Sequence, residues 1–159
     1  MDIAQSLGWF RIAWGGYEEM LEIISQRLLK ISPYEASIIF CDLGLNSKTE
    51  ITLALIAMHK PAWGGEVSRL IRQIQSIARR NHLTHSGIVM NENLSQITFI
   101  KRENKGAQHS KPLTFSENAM HAHLQAVSNA AAELQVAVGL TNADVDAYFN
   151  AIYRSQPAE

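Results

Sequence analysis

Apolar residues recur at Leu7, Phe10, Trp14, Tyr17, Leu21, Ile24, Leu28 and Ile31, in alternating steps of three and four. An α-helix completes a turn every 3.6 residues, so this spacing aligns all of them along one stripe. The pattern runs for three heptads and predicts a long first helix with a bundle-type seam. Met20, Ile23 and Leu29 widen the stripe beyond a two-stranded coiled coil, toward packing against several neighbours. Gly15 and Gly16 interrupt it. A glycine inside a helix costs roughly 1 kcal/mol against alanine, so a kink or a close helix crossing is expected there.

With 159 residues, 47% of them hydrophobic, the chain can bury one good core, and a single domain spanning 1–159 is expected. Ser32-Pro33-Tyr34-Glu35 and Ser47-Lys48-Thr49-Glu50 both read as capping boxes, which predicts two shorter helices. The first should stop near Gly44 in a left-handed turn, and the second before Pro61. After Trp63-Gly64-Gly65, a fourth helix follows from Val67, Leu70, Ile71, Ile74, Ile77 and Ala78, with Arg69, Arg72 and Gln73 outside. From 87 to about 115 the composition turns to strand. Ile88-Val89-Met90, Ile97-Thr98-Phe99-Ile100 and Leu113-Thr114-Phe115 predict a hairpin or three-stranded insertion. A helix resumes from a Ser116 cap, with Met120, Leu124, Val127, Ala131, Leu134 and Val138 on one seam, and ends at Gly139. The last helix opens on Thr141 and Asp144 and should pack through Val145, Phe149 and Ile152. The expected fold class is mainly α: an up-and-down helical bundle with a small β insertion after the fourth helix.

A formal net charge of −1 excludes a chain that binds nucleic acid by bulk charge. The distribution is less even. Between Lys60 and Lys111 lie nine basic residues and three acidic ones, Glu66, Glu92 and Glu103. The single cysteine, Cys41, excludes an intrachain disulfide, and its apolar surroundings suggest a buried free thiol. Charges interrupt every apolar run before membrane-spanning length, and residues 1–30 lack a leader's order of basic then apolar residues. A soluble cytoplasmic protein without a membrane partner is the expectation.

The chemistry concentrates in Arg79-Arg80-Asn81-His82-Leu83-Thr84-His85, where the fourth helix ends. Arg80, its amide neighbour Asn81, and His85 after four intervening residues resemble the motif of the HEPN family. These are small helical bundles whose nucleolytic members carry an arginine, a polar neighbour and a histidine at this spacing. The likeness extends over the chain at the level of architecture, while the motif covers six residues; the β insertion lies outside the family's minimal core. The resemblance implies metal-independent RNA cleavage, usually by a homodimer that brings two motifs into one cleft. It needs no cofactor, and a toxin or defence setting implies an antitoxin-like protein partner. In such a site His85 would move a proton, Arg80 would hold phosphate as charge accumulates, and Asn81 would position. Arg80 and His85 lie about 140° apart on an ideal helix. The helix must therefore unwind at Thr84–Gly87, or a second subunit must complete the site. Arg69, Arg72, Arg79, Lys101 and Arg102 are the candidate RNA contacts.

Other accounts of the same residues stand beside this one. Arg80 could pair with a carboxylate, Asn81 could cap the helix and His85 could be a satisfied core imidazole. Arg69, Arg72 and Arg79 fit a solvated helix face, and Lys101-Arg102 a charged hairpin edge. His82, His85, His121 and His123 could be assembled into a metal site, but His121 and His123 point to different faces, and surface histidines fit better. Trp9, Trp14 and Tyr17 could line a ligand pocket, though their spacing favours core or dimer contact. Ser86 beside His85 lacks the strand-turn-helix setting of a hydrolase nucleophile. A non-catalytic dimeric interaction module and a small-ligand-binding bundle are the competing functional classes.

Overall fold

A computed structural model of the chain describes residues 2–78, 83, 86–93, 95–101 and 112–154. The chain is mainly helical, with a small three-stranded antiparallel sheet. The elements run α1 (Ile3–Leu29), α2 (Pro33–Phe40), α3 (Leu45–His59), α4 (Gly64–Ala78), β1 (Ser86–Met90), β2 (Gln96–Lys101), β3 (Leu113–Ser116), α5 (Glu117–Val138) and α6 (Asn142–Arg154). They fall into two compact units, Met1–Ala13 with Gln73–Ala130, and Trp14–Arg72 with Ala131–Glu159.

Several helix ends form as their residues dictate. Ser32 accepts from the Glu35 amide while the Glu35 carboxylate accepts from the Ser32 amide, closing the capping box of α2. Thr141 and Asp144 do the same for α6. The Ser116 hydroxyl accepts from the Ala119 amide at the start of α5. Gly139, at φ 70°, ends α5. Its amide bonds Val136 and the Leu140 amide bonds Gln135, a Schellman pair, and Leu140 is buried beside it.

Other expectations are corrected. The Ser47 box does not form: α3 starts at Leu45, capped by Gly44 in extended conformation at φ −67°. Burial of Leu45 extends the inward stripe upstream, so Ser47 already lies inside the helix. Gly44 therefore ends nothing; α2 stops at Phe40, and the left-handed positions fall instead on Lys30 and Lys60. Cys41 is exposed. In α2 only Ala36 and Phe40 are buried, and Cys41 is rotated past that short stripe, like Ile38 and Ile39. Among the described residues no neighbouring atom comes close to where a Cβ at Gly15 or Gly16 would stand, and α1 runs unbroken through both, so the described elements make no close crossing there. Trp9 is half exposed, whereas Trp14 and Tyr17 are core. Among the described side chains of α6 the buried one is Tyr148, with Val145, Phe149 and Ile152 half-buried.

In the unit built from 14–72 and 131–159, the interior of α3 is polar over its first half. Lys48, Thr49 and Thr52 are buried before Leu55 and Ile56 take over. The Lys48 ammonium lies 2.6 Å from the Glu22 carboxylate of α1, both largely sheltered from solvent. Tyr148 of α6 donates its hydroxyl hydrogen to the second Glu22 oxygen at 3.3 Å. Thr52 lies 2.7 Å from the Lys48 carbonyl, to which it can donate, and its oxygen can then accept from Ser25 at 2.9 Å. Most partners here are supplied across helices, with the Lys48 carbonyl supplied to Thr52 within α3 itself, so that the buried polar groups are paired. The Tyr17 hydroxyl is the exception. It is sealed in without a closed hydrogen bond. Burial raises its pKa, Thr49 nearby offsets part of the rise, and the Glu18 charge adds to it.

Glu19, on the same stretch of α1, has its pKa raised by burial first and then by the Glu22 charge, with Lys48 opposing. A carboxyl whose folded pKa exceeds its unfolded one favours folding most when protonated, and that contribution is lost as the pH rises through the folded value. Glu19→Gln, which mimics the protonated acid, is therefore expected to stabilise the protein at pH 7. Below about pH 4, where wild type is itself protonated, the gain should vanish. Urea melts at the two pH values check this, and an equal gain at both would reject it.

Candidate functional site

The motif follows α4 in the chain, and α4 is held by its inner stripe. Val67, Leu70, Ile71, Ile74 and Ala78 are buried, with Ile77 half-buried. Gly64 opens the helix where a Cβ would meet Ile56 Cγ2 at 2.8 Å, so a larger residue would push the start of α4 off α3. The outer face is basic. Arg69 and Arg72 are both exposed. Arg69 makes two hydrogen bonds to Glu66, at 3.0 and 2.7 Å, and Glu66 raises its pKa through them. Arg72 lines an open groove of about 400 Å³ with Lys60, Ser68 and the start of α4.

Arg79, Arg80, Asn81, His82, His85 and Arg102 lie outside the described residues, as does the rest of 102–111 between β2 and β3. Within the motif interval Leu83 is described; it is helical and buried. The interval is bracketed by Ala78, the last residue of α4, and by Ser86, the first of β1. Lys101 ends β2 opposite Ser86. Of the proposed RNA contacts, Arg69 and Arg72 thus share one helix face, while Lys101 stands at a strand end in the other unit.

The sheet beside the interval has the order β1-β2-β3. Ile97 and Phe99 of β2 and Phe115 of β3 are buried. Thr98 and Thr114 face one another on the opposite side and bond at 2.9 Å. Ile88 and Met90 pair opposite Phe99 and Ile97 and so share their face, yet both are exposed at the sheet's edge, as is Val89 on the other face.

Sequence reading weighed His123 only in a metal set with His82, His85 and His121; the structure places it against Ala78, the last residue of α4. Its ring stacks on Phe10 with centroids 5.5 Å apart and 26° between planes, and lies 5.3 Å from Phe115. Its Nε2 is 3.1 Å from the Ala78 carbonyl oxygen. A carbonyl can only accept, so Nε2 carries the hydrogen. His121, two residues earlier, is exposed. Among the described residues no group of three or more His, Cys, Asp or Glu side chains could hold a metal ion. No described helix is long and apolar enough to cross a membrane.

The described residues define a mainly helical protein with a small three-stranded antiparallel sheet. The chain matches no protein-family model, no curated protein and no solved structure.

Proposed function

We propose that this chain is a metal-independent endoribonuclease of the HEPN type, acting as a cytoplasmic homodimer in a toxin or defence setting with an antitoxin-like partner. The observation that carries the proposal is Arg80-Asn81-x3-His85 placed directly after a helix whose inner face is buried and whose outer face is basic. The 2′-oxygen of the substrate would attack the adjacent phosphorus while the bond to the 5′-oxygen breaks. His85 would take the 2′ proton or supply the 5′-oxygen with one, and water or the partner's imidazole would complete the balance. The Arg80 fork would hold the non-bridging oxygens as charge builds, Asn81 would orient the phosphate, and Arg69, Arg72, Arg79, Lys101 and Arg102 would follow the strand.

A second reading, a non-catalytic interaction module, draws on β1. It is an edge strand among the described residues, and its Ile88, Val89 and Met90 are all exposed. Incubation with mixed RNAs in excess chelator separates the two. Cleavage leaving 2′,3′-cyclic phosphate ends is expected, falling by on the order of 10²–10⁴-fold in folded His85→Ala, with Arg80→Ala similarly impaired. Absence of cleavage by wild type, or undiminished cleavage by both variants, rejects the nuclease.

A further inference from the structure

The groove between α3 and α4 carries two kinds of surface. Leu53, Ile56, Ala57 and Pro61 give it an aliphatic floor, while Lys60, Ser68 and Arg72 supply its polar groups. Helical spacing produces this arrangement. Leu53, Ile56 and Lys60 follow one another at three and four residues along α3 and its cap, and Gly65, Ser68 and Arg72 do the same along α4, so each set forms one edge. Gly64 lets the two helices meet beneath them, since a Cβ there would strike Ile56. None of the described residues that line the groove is acidic. Glu66, the nearest carboxylate along α4, is bonded twice by Arg69 and lines a different groove with Leu70 and Val136. Among the described residues no carboxylate pairs with Lys60 or Arg72.

Cations above an aliphatic floor complement an oxyanion carried on an aliphatic chain. The head would be held by the ammonium and the guanidinium fork, and the chain would displace water from Leu53 and Ile56. No described lining residue is aromatic, so the groove offers a nucleobase nothing to stack on. Its volume of about 400 Å³ is that of a small-molecule site. We infer that this groove binds a small aliphatic oxyanion, with Lys60 and Arg72 on the head and Leu53, Ile56 and Pro61 along the chain. The site uses none of the motif residues and stands independently of the nuclease assignment.

The test titrates the isotope-labelled full chain with butanoate, hexanoate and octanoate at low salt, following backbone amide shifts. Amides across 53–72 are expected to shift saturably, with affinity rising about two- to fourfold for each added methylene that reaches the floor. Acetate, which has only the head, and octylammonium, which has the wrong charge, should each bind at least about tenfold more weakly than octanoate. Arg72→Gln should weaken octanoate binding at least about threefold. Lys60 is left-handed at φ 47°, a conformation glycine adopts freely, so Lys60→Gly should weaken binding to a similar degree without lowering the melting temperature. A Cβ at Gly65 would meet nothing within 4 Å, so Gly65→Trp should fold, fill the groove and abolish binding. Octyl phosphate shows which head is preferred: binding as tight as octanoate supports any oxyanion, and weaker binding supports a carboxylate. The inference is overturned if octanoate gives no saturable shifts, if affinity is flat along the series, or if folded Gly65→Trp still binds. If Gly65→Trp does not fold, undiminished binding by both Lys60→Gly and Arg72→Gln overturns it instead. A 2′-O-methyl RNA oligonucleotide that shifts these amides while the carboxylate series stays flat would leave Arg72 to the strand and remove the aliphatic ligand.

Discussion

Truncating Lys48 to alanine is expected to destabilise the protein by about 3–5 kcal/mol, the usual consequence of removing one member of a buried ion pair. Only 9% of the Lys48 side chain and 14% of the Glu22 side chain reach solvent, and the two lie 2.6 Å apart. Without the ammonium, Glu22 keeps the Tyr148 hydroxyl at 3.3 Å as its neighbour, a single neutral donor for a desolvated carboxylate. Domains of this size are typically stable by about 5–15 kcal/mol, so the loss would be a large fraction of the total. The pair itself need not be a large net gain, because desolvating two charges offsets much of their attraction. Replacing both residues, as Lys48→Met with Glu22→Leu, should therefore recover most of the loss and could exceed wild type. Urea denaturation of the two single variants and the double variant completes a cycle whose coupling isolates the pair. If Lys48→Ala costs less than about 1 kcal/mol, the ammonium is not sheltered as described, and the polar core of α3 would need another account.

Phe99→Ala is the second large effect, expected to cost about 3–5 kcal/mol as a cavity under the sheet. Phe99 is fully buried and meets Phe115 edge-on at 6.1 Å, and Phe115 in turn touches His123. For a chain of this length the melting temperature should fall by roughly 10 °C. The control lies directly across the strand pair. Ile88 faces Phe99 in register but is 45% exposed, and Ile88→Ala should stay within about 0.5 kcal/mol. Equal effects of the two substitutions would show that β2 does not anchor the sheet. The two sites also report on different units of the chain.

Much of the helical framework was legible because local physics decides it. The boxes at Ser32 and Thr141, the Ser116 cap and the glycine stop at Gly139 each depend on residues within about one turn of each other, and each forms as read; the stripe of α1 holds from Phe10 to Leu28, while Leu29 is exposed and Ile31 lies past the helix end. The three strands were legible from composition and from the Asn91–Asn93 turn, where asparagine carbonyls accept from the amides of Gln96 and Ser95. Misreadings arose where two local signals competed. Ser47-Lys48-Thr49-Glu50 has the letters of a capping box, yet burial of Leu45 and Lys48 draws the helix start upstream. Gly139 takes the left-handed position expected of it, whereas Gly44 does not, and Lys30 and Lys60 occupy two further left-handed positions.

The candidate site divides in the same way. Arg80, Asn81 and His85 were found by spacing, since a motif within one helical stretch is a local pattern. His123 was weighed only within a metal set, because its partner is 45 residues distant and a histidine between Ala122 and Leu124 resembles any surface histidine.

The amino-acid order alone determined the caps at Ser32, Ser116 and Thr141, the stop at Gly139, the inward stripe of α4 and where strands replace helices, because these follow from backbone geometry and side-chain type over a few residues. Tertiary structure alone decided that a lysine, a glutamate and a tyrosine share a core. It also decided that an imidazole from α5 meets the end of α4. The worth of a buried polar group depends on a partner brought from far along the chain, 26 residues away for Lys48 and Glu22 and 126 for Glu22 and Tyr148, and local pattern carries no record of that pairing.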